Sequence, residues 1–151
     1  MFGMADMDPT GGLWNWAAAS SLDSDRVCGA LAGALERNVV LLDSTEIDNA
    51  VLCDVYHVNG DFPTLIDVYL APESLAETTA ASAVAVRLEV AILLPDDSLN
   101  PTRYVLAEPD GSLRLVHVDE VETDDGPVRR HMRPCTGDDP ACAAGPEEEA
   151  A

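Results

Sequence analysis

The chain has 151 residues, 47% of them apolar, and a formal net charge of −20 from 28 acidic and 8 basic side chains. A chain of this length buries about 68–70% of the surface its unfolded form exposes, so it can fold as one domain without disulfides or a metal. The charge speaks against a nucleic-acid binder, which must supply cations to displace phosphate counterions, and equally against an anionic membrane surface.

The opening stretch MFGMADMDPTGGLWNW carries acids where a signal peptide needs a basic start. No run approaches the ~20 apolar residues of a membrane span, so the expected location is cytoplasmic. Residues 1–20 read as a flexible lead, in which Trp14 and Trp16 form an aromatic pair that packs onto its own domain or anchors a partner. A helix follows: Asp23 or Ser24 can accept from the free amides of its first turn, and Val27, Ala30, Leu31, Ala34 and Leu35 fall on one face. Gly29 and Gly33 weaken that helix and leave room for close packing. Residues 39–42, VVLL, read as a buried strand, DSTEIDN as a polar loop, and AVLCDVYHV over 50–58 as a second strand. Asn59-Gly60 then signals a type I′ hairpin turn, and FPTLIDVYL over 62–70 is the returning strand, with Pro63 at its edge.

The pattern then repeats. Ser74 and Glu77 have capping-box spacing ahead of an Ala-rich helix to about Leu88. EVAILL reads as a strand, PDDSLNP as a loop, TRYVLAE as a strand, Pro109-Asp110-Gly111 as a turn, and SLRLVHVDEV as the last strand. A shift of about 51 residues overlays the two runs, matching Ala34 with Ala85, Asn49 with Asn100 and Gly60 with Gly111. The expected fold is therefore α+β: two helices on one face of an antiparallel, hairpin-rich sheet, by tandem duplication of a helix-plus-three-strands unit. The domain spans 21–122, in units 21–71 and 72–122. Residues 123–151 read as an acidic disordered tail containing one basic island, RRHMR.

Cys28 lies in the helical pattern and Cys53 in the strand pattern, as small buried thiols. Cys135 and Cys142 lack zinc spacing, and neither a metal nor a cofactor is expected. His57, His117 and His131 sit in no nucleophile, phosphate or metalloprotease motif, which leaves only a pair assembled from distant residues, such as Cys53 with His117. The feature that stands out is a pair of acidic loops. Asp43, Glu46 and Asp48 occupy in the first unit the place of Asp96 and Asp97 in the second, without the spacing of a calcium loop.

The expected function is non-enzymatic binding of a basic protein partner, by an immunity- or antitoxin-type inhibitor that covers a cationic site. Asp43, Glu46, Asp48, Asp96 and Asp97 would carry the contact, flanked by Glu108 and Asp110. The helix, three strands, helix order is also similar to the layout of type III secretion chaperones, which implies an acidic adaptor holding an apolar segment. A small enzyme using Asp and His is the third alternative. Whether the chain is a monomer or a homodimer stays open.

Overall fold

The chain alternates single helices with runs of short strands, and a computed structural model describes residues 12–41, 51–96 and 103–136 of it. Strand β1 (Gly12–Ala18) precedes α1 (Ser24–Leu35), β2 (Val39–Leu41), β3 (Val51–His57) and β4 (Thr64–Ala71). Then come α2 (Glu77–Leu88), β5 (Ile92–Pro95), β6 (Arg103–Ala107), β7 (Leu113–Thr123) and β8 (Gly126–Pro134). The strands make one sheet in the order β2-β3-β4-β1-β5-β6-β7-β8. The fold is α+β, but the sheet is mixed where an antiparallel one was expected. β2 pairs parallel with β3, because Val51 N donates to Asn38 O at 2.9 Å and starts β3 beside the start of β2.

Both helices pack on one face of this sheet. Val27, Leu31 and Leu35 of α1 and Ala80, Val84 and Leu88 of α2 meet Trp14, Trp16, Cys53, Ile66, Val68, Ile92 and Leu94 in one core. Each large aliphatic side chain buried there contributes about 1.5–3 kcal/mol. Asp23 caps α1, its carboxylate accepting from Arg26 N at 2.8 Å. The capping box expected at α2 does not form: the N-cap is Ala76, without a side-chain bond, and Glu77 instead accepts from Trp16 Nε1 at 3.0 Å. Of the two helix glycines, Gly33 makes the close approach, since a Cβ there would collide with the Arg87 guanidinium.

Three expectations are corrected. Residues 12–18, assigned to a flexible lead, form the central strand of the sheet, joining β4 to β5. The period-two alternation from Leu13 to Trp16 is the cause. Trp14 and Trp16 point into the core with their rings stacked 5.4 Å apart, while Leu13 and Asn15 point out. Residues 126–134, assigned to a disordered tail, form β8, because the basic island lies in register with acids of β7: Glu120 opposite Arg129, and Asp119 near Arg133. The β3–β4 connection is not a two-residue type I′ turn. Val58 N donates to Pro63 O and leaves four residues in the loop, with Gly60 but not Asn59 at positive φ.

β7 and β8 run past the start of β6 and fold back over the second face of the sheet. There Asp61 N donates to Arg129 O at 2.8 Å. Ala17, Phe62, Leu65, Leu93, Leu106, Val116 and Val118 form a smaller core beneath this arm. Tyr104 donates to Glu120 Oε1 at 2.7 Å and lies 5.8 Å below the Arg129 guanidinium, which fastens the arm to β6.

Candidate functional site

The arm covers only part of the second face. Among the described residues nothing covers the stretch around Asp54 and Asp67 on β1, β3 and β4, and its chemistry follows from strand register. In β3, Val51, Cys53 and Val55 turn toward the helices, so Leu52, Asp54 and Tyr56 turn away. In β4, Ile66 and Val68 turn inward, so Asp67 and Tyr69 turn outward. The antiparallel register sets Asp54 directly opposite Asp67, Tyr56 opposite Leu65, and Leu52 opposite Tyr69. Two carboxylates therefore lie side by side, with a tyrosine two residues along the sheet on either side. Leu13 and Asn15 of β1 continue the same surface.

The hydrogen bonds of this face converge on Asp67. Asn15 Nδ2 donates to one carboxylate oxygen at 2.8 Å and the Tyr56 hydroxyl to the other at 3.3 Å. Partial burial raises the Tyr56 hydroxyl pKa, and the neighbouring Asp67 charge raises it further; Tyr69 is raised for the same two reasons, in the same order. Like charges directly opposite on neighbouring strands destabilise a sheet. No arginine lies between Arg37 and Arg87 and the chain has no lysine, so neither β3 nor β4 supplies a cation to relieve the pair. A guanidinium from outside could bridge both carboxylates and lie against a tyrosine ring.

The residues expected to form the acidic site fare differently. Asp43, Glu46, Asp48 and Asp97 lie outside the described residues. Asp96, just after β5, is largely buried and accepts from Arg103 Nε at 2.7 Å. Glu108 accepts from Arg114 Nε at 2.6 Å. Asp110 is bound within its own turn, accepting from Ser112 Oγ at 2.7 Å and Ser112 N at 2.9 Å, and these bonds hold its pKa below the ordinary value. Glu108 and Asp110 also do not flank Asp96. They follow the end of β6 whereas Asp96 lies beside its start, a separation of four strand steps or roughly 13 Å. The structure brings β3 and β6 into the sheet from the same end, so the strands leaving the two acidic loops start there.

Cys53 and His117 are not brought together, since β4, β1, β5 and β6 lie between their strands. His57 Nε2 lies 2.7 Å from Leu22 O, and His131 Nδ1 lies 3.2 Å from Asp119 Oδ2. Among the described residues no group of three or more His, Cys, Asp or Glu could hold a metal ion, and no helix is long and apolar enough to cross a membrane. The pairing of Asp54 with Asp67 went unnoticed in the sequence, although the signal was there. The tripeptide Asp-Val-Tyr occurs in both arms of the hairpin, and once the loop length fixes the register both copies face outward. No protein family, curated protein or solved structure matches this chain.

Proposed function

We propose that the protein is a non-enzymatic domain that binds a basic protein partner, as an inhibitor of the immunity or antitoxin type. The observation that carries this reading is the Asp54–Asp67 pair: two carboxylates flanked by tyrosines, with no cation on their own strands, on a sheet face that the described residues leave uncovered, in a chain of net charge −20. Cationic sites that bind phosphate are blocked by such a surface, and long-range attraction raises the rate of encounter. Asp96 and Glu108 support the choice of face by contrast, because each is already paired with an arginine, Arg103 and Arg114. Asp43, Glu46, Asp48 and Asp97 add to the net negative charge that would attract such a partner.

The two helix-plus-three-strands runs are read as a tandem duplication. Both helices have 12 residues and close on a glutamate in the left-handed conformation, Glu36 and Glu89. Gly60 and Gly111 hold positive φ in the corresponding turns. The helices correspond at a slightly longer offset than these glycines, so the units differ in length within their strands, and the parallel β2–β3 pair has no counterpart in the second unit.

The test is a titration with nona-arginine as basic probe, followed by amide chemical shifts. The largest shifts are expected at residues 13–15, 52–56 and 67–69. The double variant D54N/D67N should weaken binding by about 1.5–3 kcal/mol, or roughly ten- to a hundredfold in Kd. E108Q/D110N, with the same change of charge, should leave it nearly unchanged. Equal losses in both variants would mean that the probe reads only net charge, and the assignment to this face would fall. Binding that survives high salt would favour the apolar adaptor instead.

A further inference from the structure

The core beneath α1 holds a second pair of reactive groups. Cys28 follows Val27 on α1 and lies one turn before Leu31, on the side turned to the sheet. Cys53 is the inward-facing residue at the middle of β3, fully buried. Cys28 packs against the core cluster that contains Cys53, and the two thiols are close enough to act on each other. We propose that Cys28 and Cys53 are a modification site, a reversible disulfide that locks α1 onto β3. The two thiols are neighbours in one core, and the disulfide would hold α1 and β3 at the Cβ separation of about 3.5–4.5 Å that such a bond requires.

Access fixes the order of events. Cys28 is partly exposed and Cys53 is not, so an oxidant meets Cys28 first. With hydrogen peroxide as oxidant, the Cys28 sulfur attacks one peroxide oxygen, the O–O bond breaks, and a sulfenic acid and one water result. The Cys53 sulfur then attacks the sulfenic sulfur. The S–S bond forms, the S–O bond breaks, and the hydroxyl leaves with the Cys53 proton as a second water. Two electrons pass from the two thiols to peroxide. Burial disfavours both thiolates, that of Cys53 most, and Asp25 beside Cys28 and Asp54 beside Cys53 add to this, so the reaction is slow compared with a catalytic thiol. The bond would form one residue from Asp54, whose side chain leaves β3 on the opposite face. It therefore fixes the strand that carries the proposed partner surface, but its formation is independent of that reading.

The full chain carrying Cys135→Ser and Cys142→Ser, exposed to hydrogen peroxide and then alkylated under denaturing conditions, tests this directly. The expected product has lost two hydrogens, takes up no alkylating agent, yields a Cys28–Cys53 cross-linked peptide, and recovers both thiols with dithiothreitol. Adding Cys28→Ser should leave Cys53 free and alkylatable after the same treatment. Two alkylated thiols, or Cys28 carried to sulfinic acid with Cys53 still free, would overturn the proposal. Peptide mapping of the oxidised natural sequence supplies the same readout if a variant fails to fold. A cross-link from Cys28 or Cys53 to Cys135 or Cys142 in place of the Cys28–Cys53 peptide would count against it.

Discussion

The two halves of the sheet show how similar orders of elements end with opposite surfaces. Each half sends one helix to the same core, and each offers its second face to the outside. In the second half β8 extends the sheet and the β7–β8 arm folds over that face, burying Leu93, Leu106, Val116 and Val118 and pairing Tyr104, Glu120 and Arg129. In the first half β2 has three residues, and among the described residues no second arm lies over Asp54, Tyr56, Asp67 and Tyr69, of which Tyr56 is exposed and the others half-buried. The arginines divide in the same way. Five of the eight lie on β6, β7 and β8, where acids meet them, and β1 to β4 carry none. Carboxylates without an ion pair among the described residues are the difference on which the proposed recognition surface rests.

The comparison depends on β1 as the joint between the halves, and the largest expected effect tests that. Trp16→Ala removes a fully buried indole and its bond to Glu77, and should cost about 3–5 kcal/mol in denaturant unfolding. A loss below about 1 kcal/mol would mean that the halves hold together without β1. Next comes the arm. Gly60 has φ +104° and a Cβ there would lie 2.9 Å from Arg129 O, so Gly60→Ala should cost about 1–3 kcal/mol. Hydrogen exchange should then accelerate at Asp61, whose amide bonds to the arm, while the helix core stays protected. Uniform acceleration everywhere would show that arm and core are a single cooperative unit.

How much of this was readable from the residues depended on the range of the interaction. The apolar face of α1, its Asp23 cap and the Pro109-Asp110-Gly111 turn rest on neighbours a few positions apart and were legible. β1 was not, because its partners β4 and β5 are distant in the chain and Asp6, Asp8 and Pro9 make the segment before it look unstructured. β8 was missed because its charges were weighed as composition, although Asp124-Asp125-Gly126 is a hairpin signal and Gly126 does hold φ +124°. The candidate site was harder still. Its two aspartates belong to different strands and meet only once the four-residue loop has fixed the register.

The open face itself predicts a gain. If Asp54 and Asp67 are kept for recognition, they oppose each other in the free protein, and Asp54→Asn should raise stability by about 0.2–1 kcal/mol while weakening nona-arginine binding. Asp54 is the residue to change, because Asp67 is tied to Asn15 and Tyr56. A variant that loses stability would mean the pair is held by favourable contacts, and the argument from electrostatic tension would fail.

The smallest effect belongs to the covered half, and it differs in sign. Asp119 accepts from His131 and Arg133, and these bonds hold its pKa below the usual carboxylate value. A depressed folded-state pKa contributes stability above the unfolded value of about 3.9, and that contribution disappears as pH falls through the folded value. The carboxylate is nearly half exposed, so solvent screening keeps the effect small. Asp119→Asn should lower Tm slightly at neutral pH and leave it unchanged once the pH is well below the carboxylate range. Neutralising Asp54 should do the opposite and raise Tm at neutral pH. If both substitutions moved Tm in the same direction at neutral pH, the two halves would not differ in the way their charges are satisfied.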